Sequence, residues 1–271
     1  MAAHDSPGRE LLRLGSGRTR LSVNAADGGR MTSLEIAGVE VLGGVGAGVV
    51  EHGSFVMAPW AGRIRDGLLH VAGAAHRLPT DRTHPHAGHG LVMDRAWSVL
   101  DASRHRLLLG CHLDRRWPFR GHVRQEIHLA DGHLDQWIEV HADGEPFPAT
   151  AGWHPWFRRS LASGARAELA FACDGMLVRD SHGIPSGSVV PVPPGPWDDC
   201  FTGVRWPMSI TWPGVLTLRI SADVAFAVVY DERAEALRVE PQSGPPDGPN
   251  TAPRMVRADA PLVVSSRWTW G

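Results

Sequence analysis

The chain has 271 residues, with 27 Lys+Arg against 29 Asp+Glu and a formal net charge of −2. That balance gives no electrostatic reason to expect nucleic acid or an anionic membrane as a partner, and no apolar run reaches the ~18 residues of a membrane span. The length lies close to the ~200–250 residues that β-sandwiches reach as single units, so one domain is expected over 1–271, with residues 1–9 as a flexible N-terminus.

Period-2 alternation dominates the chain. Arg20–Asn24 and Met31–Ile36 alternate on either side of Ala-Asp-Gly-Gly, which predicts a first hairpin. Trp97–Leu100 with Leu107–Leu113 predicts a second. In Val123–Leu129 the apolar residues alternate with Arg124, Glu126 and His128; Ala130-Asp131-Gly132 then turns the chain into Leu134–Val140. Later strands are expected at Ala165–Ala172, Ser209–Trp212, Leu216–Ser221, Phe226–Tyr230, Leu237–Glu240 and Leu262–Trp270. Helical periodicity never persists for the ~10–12 residues that a helix needs. The fold class is therefore all-β, with many short antiparallel strands. Two Pro/Gly-rich stretches, Ile184–Trp197 and Pro241–Pro253, read either as functional loops or as surface crossovers.

The remaining composition is informative in places. Three cysteines, Cys111, Cys173 and Cys200, form no CxxC pair, which fits a reduced cytoplasmic setting. The stretch Met1–Gly15 carries no apolar run of the signal-peptide kind. Eleven tryptophans stand against one tyrosine, and an indole suits both a core and the face of a sugar ring.

Five segments carry groups that could do chemistry. In Ala58–Gly67, Arg63 could grip a pair of hydroxyls through its guanidinium fork. In Thr83–Leu91, His84, His86 and His89 invite a metal reading of the cupin kind. The Glu that such a motif requires is missing, however, and Asp94 comes too late, so no metal is expected. His154 lies in Gly152-Trp153-His154-Pro155-Trp156-Phe157, either as a core residue or as a proton donor. Asp198 and Asp199 open Asp-Asp-Cys-Phe and could accept sugar hydroxyls or simply form a turn. Glu240 ends the strand Leu237–Glu240, and parity puts it on the face opposite Leu237 and Val239. A carboxylate held there is either a solvated charge or a general base.

Taken in order, these segments resemble the aldose 1-epimerase (galactose mutarotase-like) family. The likeness rests on Trp-x-x-Arg-Ile at Trp60–Ile64, His-Gly-Leu at His89–Leu91 followed by Trp97, and His-Pro-Trp-Phe at His154–Phe157. Asp-Asp-Cys-Phe at Asp198–Phe201 and Glu-Pro-Gln-Ser-Gly-Pro-Pro-Asp at Glu240–Asp247 complete it. The resemblance implies a galactose mutarotase-like β-sandwich with a sugar lying across its concave face. It implies Glu240 as general base and His154 as general acid, an ionised Glu with a protonated His. Arg63, His89, Asp198, Trp156 and Gln242 are implied as sugar-binding, with Asp199 a one-residue alternative to Asp198. The reaction implied is ring opening and reclosure of an aldose, with no cofactor, in a monomer or homodimer. Two features depart from the pattern: Gly62 stands where the family usually has Asn, and Gly88 where it has a bulky apolar residue. Two other functions share these residues, a hexose-6-phosphate epimerase drawing on Arg65, Arg82 or Arg95, and a carbohydrate-binding sensor without turnover.

Overall fold

The computed structural model describes residues 11–80 and 85–271. The expectation for residues 1–9, and those for Arg82 and His84, lie outside the described residues. Two antiparallel sheets form the body. The larger has 11 strands; across it run Leu11–Ser16, Thr19–Asn24, Arg30–Ile36, Ser54–Met57, Gly152–Arg158, Ala236–Gln242, Phe226–Tyr230, Asp198–Thr202, Gly175–Arg179 and Pro185–Val190, with Val39–Glu40 added beside Arg30–Ile36. The second has 8 strands, in the order Ser98–Ala102, Arg106–His112, Gly121–Ala130, His133–Ala142, Leu262–Trp270, Leu216–Ala222, Arg205–Trp212 and Glu168–Ala172. The fold is all-β, as the alternation predicts, and is the galactose mutarotase-like sandwich that the resemblance implies.

The alternating segments form the expected hairpins. Arg106–His112, Gly121–Ala130 and His133–Ala142 pair in unbroken register, and their inward residues Leu107, Leu109, Val123, Ile127, Leu134 and Ile138 are buried. Gly132 closes the second turn at φ +80°, a conformation that costs glycine nothing. Both Pro/Gly-rich stretches prove ordered. The first carries the edge strand Pro185–Val190, and the second folds back over the Arg63 segment.

The core lies between the sheets. Leu237, Val239, Trp153 and Phe157 from the large sheet meet Trp212, Trp268, Met208 and Ile210 from the other. Trp212 Nε1 donates to the Arg158 carbonyl at 3.0 Å, and Phe157 packs on Trp268 at 5.2 Å, so tryptophans tie the two layers. A second, small apolar cluster of Phe55, Met57 and Ala61 sits apart from this core. By strand parity, Phe55 and Met57 share their face of the large sheet with His154, Trp156, Arg238 and Glu240.

Candidate active site

The register of the large sheet arranges the site as cross-strand rows. Gly152 faces Gln242 and Trp156 faces Arg238, which sets His154 opposite Glu240. On the far side Val228 faces Glu240 and Cys200 faces Val228; on the near side Phe55 faces His154. The middle row is thus Cys200, Val228, Glu240, His154, Phe55. The next row is Asp198, Tyr230, Arg238, Trp156. Directly opposed side chains in an antiparallel pair sit ~4.5–5.5 Å apart at Cβ, so pairing alone brings Glu240, His154 and Arg238 together.

Over these rows opens a cleft that is continuous with solvent. Arg63, His89, Asp198, Asp199, Arg238, Glu240 and Gln242 line it, with Pro246, Gly183 and Pro185 at its rim. Glu240 is 2 % exposed. Its Oε2 accepts a 3.1 Å bond from Gln242 Nε2. Its Oε1 lies 3.2 Å from Arg238 Nε and 3.6 Å from His154 Nε2, yet has no aligned hydrogen bond. A buried acceptor left open at the base of a cleft is a place for a ligand hydroxyl. Burial raises the Glu240 pKa to about 7, opposed chiefly by Arg238.

His154 is fully buried. Phe55 stacks on its ring at 4.5 Å, and His89 meets it edge-on at 4.9 Å. Arg238 Nη1 donates to His154 Nε2, while Nδ1 has no partner. Desolvation, then Arg238, holds the His154 pKa well below the usual range. The protonated His154 implied by the resemblance is therefore not the form of the empty cleft. Arg238 and Arg30, whose guanidinium caps Phe55 at 4.7 Å, make that pocket hostile to a further cation.

The backbone around His89 is unusual. His89 has φ +58° and Gly90 φ +79°, and a Cβ at 90 would collide with the Ala58 carbonyl. The His89 amide donates to the Gly62 carbonyl at 2.6 Å, which locks the turn in place. Non-glycine residues with positive φ cluster where geometry serves a site. The His89 Nδ1 rests 3.2 Å from Met57 Sδ. Desolvation, with Arg238 and Arg63 nearby, pushes its pKa down to about 3, so it is neutral.

Arg63 is held from two sides. Its carbonyl accepts the Asp247 amide at 2.6 Å, and Asp247 Oδ1 accepts the Arg65 amide at 3.1 Å. A Cβ at Gly183 would collide with the Arg63 guanidinium, so a glycine there lets the loop pass close by. At position 62, where the family usually has Asn, Gly62 takes φ +65°, and a Cβ would press on Pro246 at 3.1 Å. Asp198 lies 3.3 Å from Arg179 and 3.6 Å from Arg238, in the row that faces the cleft; Asp199 takes Arg179 Nε at 2.8 Å.

Two residues expected in the site do not line the cleft: His154, fully buried against Phe55 and His89, and Trp156. Trp156 lies beneath Arg238 at 4.6 Å and edge-on to Tyr230, and its Nε1 donates to the Val50 carbonyl at 2.8 Å. No tryptophan lines the cleft among the described residues. Arg238, to which the motifs gave no role, stands instead at the centre. Among the histidines of Thr83–Leu91, His86 is buried apart from the cleft and accepts the Asp66 amide at 2.9 Å. Among the described residues no metal-ligating group of His, Cys, Asp or Glu forms. Arg65 pairs with Asp180 at 2.8 Å beside the rim, whereas Arg95 pairs with Asp114 and does not line the cleft.

Residues 10–220 match the family model described as aldose 1-epimerase.

The chain belongs to the aldose 1-epimerase family.

Solved structures of the same fold include an Escherichia coli K12 protein provisionally named an aldose 1-epimerase, at TM-score 0.84 and 17 % identity, covering 96 % of this chain and 98 % of that one. A galactose mutarotase-like protein from Clostridium acetobutylicum aligns at TM-score 0.82 and 15 % identity, over 96 % of this chain and 94 % of its own. A galactose 1-epimerase from Lactobacillus acidophilus aligns at TM-score 0.78 and 13 % identity, over 100 % and 97 %. No curated protein matches the sequence. The family match ends before the Ala236–Gln242 strand, so the place of Glu240 in this family member rests on its position in the cleft.

Proposed function

We propose that this aldose 1-epimerase family member interconverts the α- and β-anomers of a free aldose. The observation that carries the reading is the open Oε1 of Glu240, buried at the base of the cleft and 3.6 Å from His154 Nε2. A module that only binds sugar gains nothing from a buried acid–base pair, which costs stability to maintain.

Near neutral pH Glu240 is protonated in about half of the molecules, and His154 is neutral. Passing the Glu240 proton to His154 Nε2 creates the ionised base and charged acid that ring opening needs. Glu240 then takes the proton of the C1 hydroxyl as its oxygen forms the carbonyl double bond. The C1–ring-oxygen bond breaks, and the ring oxygen takes the proton of His154. Rotation about C1–C2 and the reverse sequence close the other anomer. Each positioned proton transfer of this kind is worth ~10²–10⁴-fold. Arg63, Asp198, Gln242 and neutral His89 hold the sugar hydroxyls. Polarimetry of freshly dissolved α-anomers tests the reading, with glucose and glucose 6-phosphate compared to separate neutral from phosphorylated substrates. Mutarotation no faster than the buffer rate across the common aldoses rules the activity out.

A further inference from the structure

Arg238 reaches His154, Glu240 and Asp198. Its Nη1 donates to His154 Nε2, its Nε lies 3.2 Å from Glu240 Oε1, and its Nη2 lies 3.6 Å from Asp198. The guanidinium itself is clamped, 4.6 Å from Trp156 and 4.2 Å from Tyr230, its two cross-strand neighbours. Contact with both rings restricts the guanidinium, and its donors then point in set directions.

We infer that Arg238 is a positioning residue that fixes the tautomer of His154 and the charge of Glu240 together. A guanidinium can only donate. The Nε2 that accepts from it must carry a lone pair, so the imidazole proton sits on Nδ1. That single Nε2 lone pair is the port through which the Glu240 proton can enter, once the Arg238 N–H releases it. An Nε2–H tautomer would close that port and aim a proton at a proton.

The same cation stabilises ionised Glu240 against its burial. Glu240 is faced from its own strand by Arg238 and Gln242, from the neighbouring strand by His154, and from the strand beyond Phe226–Tyr230 by Asp198 and Cys200. Arg63 and His89 face it from the loops. His154 is faced by Arg238, Glu240, His89 and, across Phe55, Arg30. Arg238 is the member of this set in contact with both. Its kinetic consequence rests on the mutarotase reading, whereas its structural consequence does not.

The test joins two readouts. Imidazole ¹⁵N spectra of the sugar-free protein, with His154 assigned by loss of its signals in His154→Asn, are expected to show the proton on Nδ1 from pH 6 to 8. In Arg238→Met the Nε2–H form gains population and His154 becomes easier to protonate. A wild-type His154 protonated on Nε2, or a tautomer unmoved in the folded variant, overturns the inference. In the pH profile of kcat/KM, the acid limb of Arg238→Met is expected to move upward by about one unit, roughly a tenfold loss on that limb, and that of Arg238→Lys by less. A uniform drop with the limb unmoved overturns the kinetic part. Should Arg238→Met not fold, Arg238→Lys and the wild-type tautomer decide. Absent wild-type mutarotation sinks the proposed activity alone, and the tautomer measurement still decides the role of Arg238.

Discussion

The two sheets treat charge in opposite ways. On the outer face of the 8-stranded sheet, Arg106 meets Glu126 at 2.6 Å, Arg267 meets Asp135 at 2.5 Å, and His141 meets Glu139 at 2.8 Å, all with part of their side chains in water. On the cleft face of the large sheet, Glu240 and His154 are almost wholly buried and left with one unpartnered atom each. Solvated pairs are worth little to stability and can be lost cheaply. Buried and incompletely paired groups cost stability, so their retention points to work done on a ligand.

The largest effect that would break this contrast is at Glu240. Glu240→Gln is expected to lower mutarotation ~10²–10⁴-fold while sugar binding, read by calorimetry, persists. A fully active variant would put Glu240 in the same class as the solvated carboxylates. His154→Asn is expected to cost a similar factor in kcat, measured by polarimetry, with wild-type rates removing it from proton transfer.

Stability should move the other way. Burial raises Glu240 from 4.5 to about 7, so the folded protein holds this proton more tightly than the unfolded chain. Its contribution is favourable below pH 4.5 and is lost as pH rises through 7. Glu240→Gln should then unfold at higher denaturant than wild type at pH 8, by on the order of 1–3 kcal/mol, with the gap closing below pH 4.5. A variant less stable than wild type at pH 8 would contradict the burial cost. Gly183→Ala is a smaller perturbation. Its methyl displaces the Arg63 guanidinium, and KM should rise several-fold with kcat little changed. The smallest effect belongs to the other sheet, where Glu126→Gln should leave mutarotation unchanged and shift stability by less than about 0.5 kcal/mol.

Legibility in the sequence follows the same divide. Strands with one wet face, such as Gly121–Ala130 and His133–Ala142, alternate in hydrophobicity and are readable. Ser54–Met57 and Gly152–Arg158 are buried on nearly every residue, on both faces, so they carry no alternation and escape a periodicity reading. Parity on Leu237–Glu240 put Arg238 and Glu240 on one face, correctly. It could not reveal Arg238 as the hub, because that depends on the register with Trp156, Tyr230 and His154, strands distant in the chain. The neutral state of His154 was hidden for the same reason, since Arg30 and Arg238 reach it only through the fold. Trp156 misled because an indole signals a sugar platform and a structural plate equally well.

The rows of the large sheet also set when the site can exist. Arg63, His89, His154, Asp198 and Glu240 come from strands and loops spread over most of the chain, and they meet through pairings such as Ser54–Met57 with Gly152–Arg158 and then with Ala236–Gln242. Such non-local pairings form slowly, on the ms–s scale typical of sheet sandwiches. The cleft is therefore complete only once these non-local pairings have formed. During refolding, far-UV strand signal should recover no later than the proposed mutarotase turnover, which would then report completion of the middle of the sheet.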